Sequence, residues 1–170
     1  MNFFSEIGED PIEFFSDKSE TTRLKAISAR GCVALTVPAG TAWLVAKGFQ
    51  PLIRSRWPTV FTGEFYLSAS GKYSFAQWRG DYCRVLYTLP RAAEEFPTPN
   101  GFKEIAGRII GSARLVRCVA DVSVPETPFA FEIDSPRIFD SYIPQRGRPG
   151  FFYPKDAMPQ LVNMRDIKTK

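Results

Sequence analysis

The sequence has no histidine among its 170 residues. Without an imidazole, the chain has no Ser-His-Asp or Cys-His nucleophile and no zinc site that uses histidine. A general base would have to be a carboxylate, a lysine of lowered pKa or a tyrosine. The absence of histidine therefore excludes most hydrolase mechanisms and most metal sites. We predict neither a metal site nor a cofactor.

The chain is also poor in cysteine and in long apolar segments. Cys32, Cys83 and Cys118 are odd in number and far apart, so we expect three reduced thiols. No apolar run approaches the roughly 18 residues that cross a bilayer. The first residues lack the basic-then-apolar order of a signal peptide. We therefore expect a cytoplasmic protein (nuclear if the source is a eukaryote) with no membrane partner.

What is present is material for one folded domain with a surplus of positive charge. Hydrophobic residues make up 44% of the chain and aromatic residues 14%, enough for one core. The formal net charge is +4, but residues 1–20 carry −5, so residues 21–170 carry +9. Such an excess favours a phosphate-rich partner, with general solubility as the alternative explanation.

Hydrophobic periodicity and turn residues predict an α+β fold, a small mixed β-barrel with two or more flanking helices. We predict an acidic, Phe-bearing arm at 1–22, a domain at 23–158 and a polar C-terminal tail at 159–170, frayed from Asn163. Strands are predicted at 33–37, 64–70, 109–120 and 129–133, with a possible bulge at Gly111. Helices are predicted from an N-cap at Thr41 to Gly48 and over 74–89. A loop is predicted over 91–100, and a turn over 135–137.

Four segments, in order, resemble the ASCH domain family of the PUA-like superfamily of nucleic-acid-binding barrels. They are Ala42-Trp43-Leu44 through Gly48; Arg56-Trp57-Pro58-Thr59 with Gly63 and the strand at 67–70; the strand at 110–118; and the block at 129–152, where Pro144, Arg146-Gly147 and Gly150-Phe151 fall in register. They cover about Gly31 to Pro154. The resemblance implies a PUA-type barrel that binds RNA or DNA in a cleft beside it.

The positions of the family's enzymatic chemistry differ here. Enzyme-like members usually carry a lysine two residues after the glycine that ends the first helix, followed by an acidic residue and an arginine. With Gly48 in register, those positions are Gln50, Ile53 and Ser55. An amide and an alkyl chain cannot form a lysine–acid proton relay. We therefore favour binding over catalysis. The alternative is an amidohydrolase or ribonuclease acting on a modified pyrimidine nucleoside or RNA through relocated groups, with Glu64, Asp81 or Glu132 as the acid.

Basic and polar positions indicate where a nucleic acid would bind. The predicted nucleic-acid-binding residues are Arg54, Arg56, Trp57, Ser68, Ser70, Lys72, Arg146 and Arg148. A guanidinium can donate two parallel hydrogen bonds to a phosphate, and a tryptophan can stack on an unpaired base. Gly40 and Thr41, which open the first predicted helix, indicate an anion site at its N-terminus. Each has a structural alternative: solvated arginines, a tryptophan in the core (which we favour for Trp43), a polar strand edge, or ordinary capping.

RNA or single strands are the favoured partner, and the sequence leaves the oligomeric state undetermined. A further alternative is a protein-interaction module that works through the acidic arm, which carries Phe3-Phe4 and Phe14-Phe15. Such an arm beside a basic cleft would also act as a phosphate mimic. In that case, removal of residues 1–20 would tighten binding.

Overall fold

The computed structural model describes Thr22, Leu24, Lys25 and residues 31–166. The predicted acidic arm lies outside the described residues except for Thr22. The strands are β1 (Ala34–Val37), β2 (Leu52–Ser55), β3 (Gly63–Ala69), β4 (Arg108–Ala120), β5 (Phe129–Pro144) and β6 (Phe151–Phe152). The helices are α1 (Ala39–Ala46), α2 (Phe75–Thr88), α3 (Pro90–Glu95), α4 (Pro99–Ile105) and α5 (Met158–Asp166).

The strands of the described residues form one six-stranded mixed sheet in the order β2-β5-β4-β3-β1-β6. β1 runs parallel to β3, and the other neighbours are antiparallel. The sheet curls on itself: Phe131 on β5 and Phe151 on β6 stand at the second and last places of the strand order, yet their ring centroids are 6.2 Å apart. The predicted α+β fold with a mixed barrel and flanking helices is confirmed, in the form of a half-barrel.

Helix α1 fills the inside of the half-barrel, and almost all of its residues are buried. Trp43 stacks on Phe49, with ring centroids 5.7 Å apart, and meets Phe96 edge-on at 5.4 Å. The expectation that Trp43 belongs to the core is confirmed. Because a buried large side chain contributes about 1.5–3 kcal/mol, this helix is a main source of stability for the domain.

A second apolar cluster includes Tyr66, Phe139 and Phe152. Helix α5 contributes Leu161 to this cluster, with 1% of that side chain exposed. We expected a polar tail from residue 159 that frays from Asn163. The part of this segment that the structure describes, up to Asp166, is helical, and Leu161 packs in the second apolar cluster.

The strand predictions hold for β1, β3 and β4, and the β4–β5 register shifts between Ile109 and Gly111 as the predicted bulge requires. The predicted turn at 135–137 is wrong, because β5 continues through it to Pro144. Ser135 adopts φ 48°, and the register shifts again between Ser112 and Arg114. The strand therefore absorbs the Ser-Pro pair as an irregularity in its pairing, which is one of the few places where a strand tolerates proline.

The helix predictions hold for α2, where the Ser74 hydroxyl accepts a hydrogen bond from the Gln77 N–H at 3.1 Å. The predicted loop at 91–100 is wrong: α3 and α4 occupy most of it, beginning at Pro90 and Pro99. Proline suits the first helical position, where no N–H is needed. No helix of the described residues is long and apolar enough to cross a membrane.

Helix α1 begins earlier than predicted. Its first residue is Ala39, so Thr41 lies inside the helix and is not its N-cap. The predicted end is confirmed, since Gly48 adopts φ +79°, a conformation that glycine takes without strain.

Candidate functional site

Four of the predicted binding residues lie around one open pocket. Its walls are Thr36 on β1, residues 70–72 after β3, Gly107 before β4 and residues 145–149 after β5, and its volume is about 440 Å³. We call it the basic pocket. The predicted residues that line it are Ser70, Lys72, Arg146 and Arg148.

The pocket forms where the parallel strands β1 and β3 end side by side. The Ser70 N–H donates to the Val37 carbonyl at 2.9 Å, which ties the end of β3 to β1. The Gly107 N–H donates to the Ala69 carbonyl at 3.0 Å, and the Gln145 N–H donates to the Gly107 carbonyl at 3.1 Å. Backbone hydrogen bonds thus join three segments that are far apart in the sequence.

The loop after β5 is held close against β1. The Arg148 N–H donates to Thr36 Oγ1 at 3.2 Å. A Cβ added at Gly147 would lie 2.9 Å from Thr36 Cγ2, so only glycine fits this approach without a shift of the loop. The backbone that carries the Arg148 side chain is therefore fixed on β1.

Gln145 fixes the other end of this loop. Its side chain is buried, its Nε2 donates to the Arg146 carbonyl at 2.9 Å, and its Oε1 accepts from the Ala157 N–H at 3.1 Å. Sequence reasoning missed Gln145, Thr36 and Gly107 as parts of the site. Their positions depend on which strand ends meet, and no local pattern in the sequence records that.

The cations of the basic pocket are exposed and unneutralised. Lys72, Arg146 and Arg148 form no ion pair with any residue that the structure describes, and no described carboxylate lines the pocket. Several other basic side chains are paired. These pairs are Lys47–Glu95 at 2.6 Å, Arg84–Asp81 at 3.3 Å, Arg114–Asp134 at 2.5 Å and Arg117–Glu132 at 2.6 Å. The pocket is therefore a local concentration of positive charge.

Arg54 and Arg56 lie elsewhere. Arg54 is on β2, at the edge of the sheet, and forms an ion pair with Asp121. Hydrogen bonds from Ser123 and then from Arg54 hold the pKa of Asp121 below its ordinary value. Arg56 is exposed in the bend after β2, and neither arginine lines the basic pocket. The charge of Arg54 is thus already balanced within the fold.

Trp57 is half-buried and packs against the core. Its ring meets Phe131 edge-on at 5.2 Å and Phe151 at 5.9 Å. The residue does not line the basic pocket. The structure therefore places Trp57 as a cover over the core and outside the lining of the pocket.

Ser68 is fully buried at 0% exposure, so its prediction as a cleft residue is wrong. The residue pairs with Thr36 in the middle of the sheet, and its hydroxyl has no hydrogen-bond partner among the described residues. The alternation of the strand did not reveal this, because both faces of β3 are buried from Phe65 to Ala69.

The predicted anion site at Gly40 and Thr41 already faces an anion of the chain itself. Gly40 is buried, and a Cβ added there would lie 2.7 Å from Asp81 Oδ2. The Asp81 carboxylate on α2 therefore stands against the first turn of α1, where the free N–H groups favour negative charge. The prediction is therefore corrected at Gly40, which is buried against the Asp81 side chain, whereas Thr41 is half-buried.

The positions of the family's catalytic groups are structural here. Ile53 is buried, Gln50 donates to the Leu52 carbonyl at 2.6 Å, and Ser55 is buried against the Trp57 backbone. The described residues contain no group of three or more Cys, Asp or Glu that could hold a metal ion.

No protein-family model and no curated protein matches this sequence. Among solved structures, the chain is similar to a mutant of the ASCH protein ZmASCH from Zymomonas mobilis, with a TM-score of 0.46 and 11% sequence identity. The match covers 78% of this chain and 96% of that one. A similarity of this degree does not by itself assign a family, so membership of the ASCH family remains a prediction from the sequence.

Proposed function

We propose that the basic pocket binds a phosphate group of a nucleic acid, with RNA or single strands preferred. One observation carries this proposal: Lys72, Arg146 and Arg148 surround one pocket, and none of them has a carboxylate partner among the described residues. Unpaired cations around a concave surface raise the local concentration of anions. The domain at 23–158 would then be a PUA-like binding module that acts in the cytoplasm without a cofactor.

The chemistry of the lining suits a phosphate. Each arginine presents a planar fork that donates two parallel hydrogen bonds to phosphate oxygens, and Lys72 supplies a compact point charge. Gly71, Gly107 and Gly147 leave the floor without side chains, so that a ligand can approach the backbone. The hydroxyls of Thr36 and Ser70 add neutral polar groups to the wall.

The size of the pocket favours an unpaired strand. Its volume of about 440 Å³ lies within the usual range for small-molecule sites, about 300–1,000 Å³. One nucleotide of a flexible strand can enter such a space, whereas a duplex can present only its outer phosphates to the rim. Single strands are also the usual target of sequence-specific RNA recognition, because their bases can be splayed out.

The enzymatic alternative has less support. Glu132 and Asp81, two of the possible relocated acids, form ion pairs with Arg117 and Arg84, and Glu64 does not line the pocket. Among the described residues, Lys72 therefore has no carboxylate in the pocket lining for a proton relay. Incubation with acylated cytidine and with RNA, followed by chromatography, tests this alternative directly.

Fluorescence anisotropy with labelled RNA, single-stranded DNA and duplex DNA tests the proposed function. We expect binding at about 50 mM salt that weakens as salt rises, since each neutralised phosphate of a single strand contributes a slope of about −0.7. Three pocket cations would give a slope of about −2. Absence of binding to every probe at low salt would contradict the proposal.

A further inference from the structure

Helix α2 carries an aromatic stack whose first ring follows the pocket residue Lys72 by three positions in the sequence. The rings of Trp78 and Tyr82 are stacked at 5.3 Å with an angle of 6° between their planes. Phe75 stacks on Trp78 at 5.5 Å and 27°. We call these three rings the α2 stack. They lie on one face of the helix, because positions separated by three, four or seven residues are neighbours there.

The inner part of the α2 stack is anchored to the body of the domain. Trp78 Nε1 donates a hydrogen bond to the Pro97 carbonyl at 2.8 Å, and Tyr82 packs against Phe96 at 6.2 Å. Both rings are half-buried. These contacts fix the orientation of Trp78, and its ring in turn supports the ring of Phe75.

The outer end of the stack is open. Phe75 is 58% exposed, and Trp78 is the only ring that it contacts among the described residues. One face of the Phe75 ring therefore points away from the stack. A supported aromatic ring with a free face is a ready site for one more flat ring, because offset stacking of aromatic rings is favourable.

Phe75 is close to the basic pocket. It follows the pocket residue Lys72 by three positions, so the two Cα atoms are at most about 11 Å apart. Arg79, one turn further along α2, is exposed and has no ion-pair partner among the described residues. Lys72 and Arg79 thus flank Phe75 in the sequence, three positions before it and four after it, which suits a stacked group that is attached to phosphates.

We propose that Phe75 stacks on an unpaired base of the same strand whose phosphate occupies the basic pocket. This inference rests on the proposed function and adds the position of a base to it. The role that the sequence suggested for Trp57 passes to Phe75, since Trp57 packs on the core and Phe75 presents a free face. Stacking of this kind tolerates any base, because every base has a π-face.

Two labelled strands of equal length separate stacking from phosphate binding: an oligothymidylate and an abasic deoxyribose-phosphate strand. The test variant is Phe75→Leu, which keeps apolar bulk but removes the ring. The matched control is Tyr87→Leu on the same helix, since Tyr87 is 85% exposed and lies about 120° around α2 from Phe75. Thermal melting confirms that both variants are folded.

We expect Phe75→Leu to weaken oligothymidylate binding about five-fold or more and to leave abasic-strand binding unchanged. Tyr87→Leu should change neither. An equal effect of Phe75→Leu on both strands, or no effect on either, would overturn the proposed stacking. That result leaves the proposed function intact, whereas failure of the unmodified protein to bind either strand would overturn both.

Discussion

The three cysteines lie in different environments. Cys83 is exposed on α2, whereas Cys32 and Cys118 are buried in the two apolar clusters of the fold. Burial raises the pKa of the Cys118 thiol, and a hydrogen bond with the Thr59 backbone opposes this shift. A thiol must ionise and be accessible to the reagent before it reacts. The three cysteines should therefore differ in their rate of reaction according to their exposure.

We therefore predict that a thiol-specific disulfide reagent modifies Cys83 rapidly in the native protein and modifies Cys32 and Cys118 only on unfolding. Absorbance at neutral pH, with and without denaturant, gives the number of reactive thiols. The Cys83→Ser variant should lose the fast phase. A fast phase that persists in this variant would show that a buried thiol is accessible.

Two glycines illustrate how close contact determines tolerance to substitution. A Cβ added at Gly111 would lie 2.2 Å from the Arg137 carbonyl oxygen and 3.0 Å from the Ala46 Cβ. A Cβ added at Gly80, inside α2, would meet nothing within 4 Å. The first glycine permits a backbone contact between β4 and β5, and the second only weakens a helix.

Gly111→Ala is expected to destabilise the domain by about 1–3 kcal/mol, because one of the two strands must shift. Gly80→Ala, the matched control, should stabilise it by roughly 0.5–1 kcal/mol through helix propensity. Urea unfolding curves measure both changes. Equal stability of the two variants would contradict the close contact at the bulge.

For single residues in the site, the sequence shows which side chains are charged but not which of them form ion pairs. Arg54 and Arg148 looked equivalent as exposed arginines near turns. Asp121 lies 67 positions from Arg54, so only the folded sheet reveals that it binds this arginine. The sequence predicts the Arg146-Gly147-Arg148 segment as a loop between two strands, and the structure confirms this, but no local pattern predicts the contact of the loop with Thr36.

At the scale of elements, the long hairpin of β4 and β5 is stabilised by two cross-strand ion pairs. Arg114 Nε donates to Asp134 Oδ1 at 2.8 Å, and Arg117 Nε donates to Glu132 Oε2 at 2.6 Å. Each arginine also donates from a second nitrogen, so both pairs are bidentate. These hydrogen bonds hold the pKa of Asp134 and the pKa of Glu132 below their ordinary values.

The lowered pKa values of these carboxylates determine how the stability of the fold depends on pH. A carboxylate whose pKa is lower in the folded than in the unfolded state stabilises the fold at pH values above its unfolded pKa of about 4. The contribution is lost as pH falls through the folded pKa. The melting temperatures of the unmodified protein and Asp134→Asn should therefore differ most near neutral pH and converge in acid.

Melting curves from pH 7 to acid measure this convergence. Asp140→Asn serves as the control, because Asp140 is exposed on the same strand and has no ion-pair partner among the described residues. A difference between the unmodified protein and Asp134→Asn that grows in acid would contradict the ion-pair interpretation.

Elements with a clear hydrophobic period could be predicted from the sequence. Elements whose structure depends on contacts with distant segments could not. The apolar stripe of α2 and the alternation of β3 gave the correct structures. The Ser135-Pro136 pair suggested a turn, yet the residues on either side of it, Asp134 and Arg137, pair with β4 and keep it within β5. The prolines at 90 and 99 suggested a loop, although proline is also a good first residue of a helix.

At the scale of the whole molecule, the curled sheet gathers unpaired positive charge in one place. Most of the other exposed cations on β2, β4 and α2 are matched by carboxylates. The excess of +9 that the sequence assigns to residues 21–170 is therefore concentrated, in part, at the basic pocket. This concentration is the reason we propose a binding site at the pocket rather than general solubility.

A comparison of two variants with equal charge tests this account most directly. Arg148→Ala and Arg117→Ala each remove one exposed guanidinium, but Arg148 lines the pocket unpaired and Arg117 is paired with Glu132. Binding of a labelled single strand is measured over a salt series. We predict that Arg148→Ala weakens binding and reduces the salt slope by about 0.7, while Arg117→Ala leaves the slope unchanged. Equal effects of the two variants, or no effect of Arg148→Ala, would contradict the account.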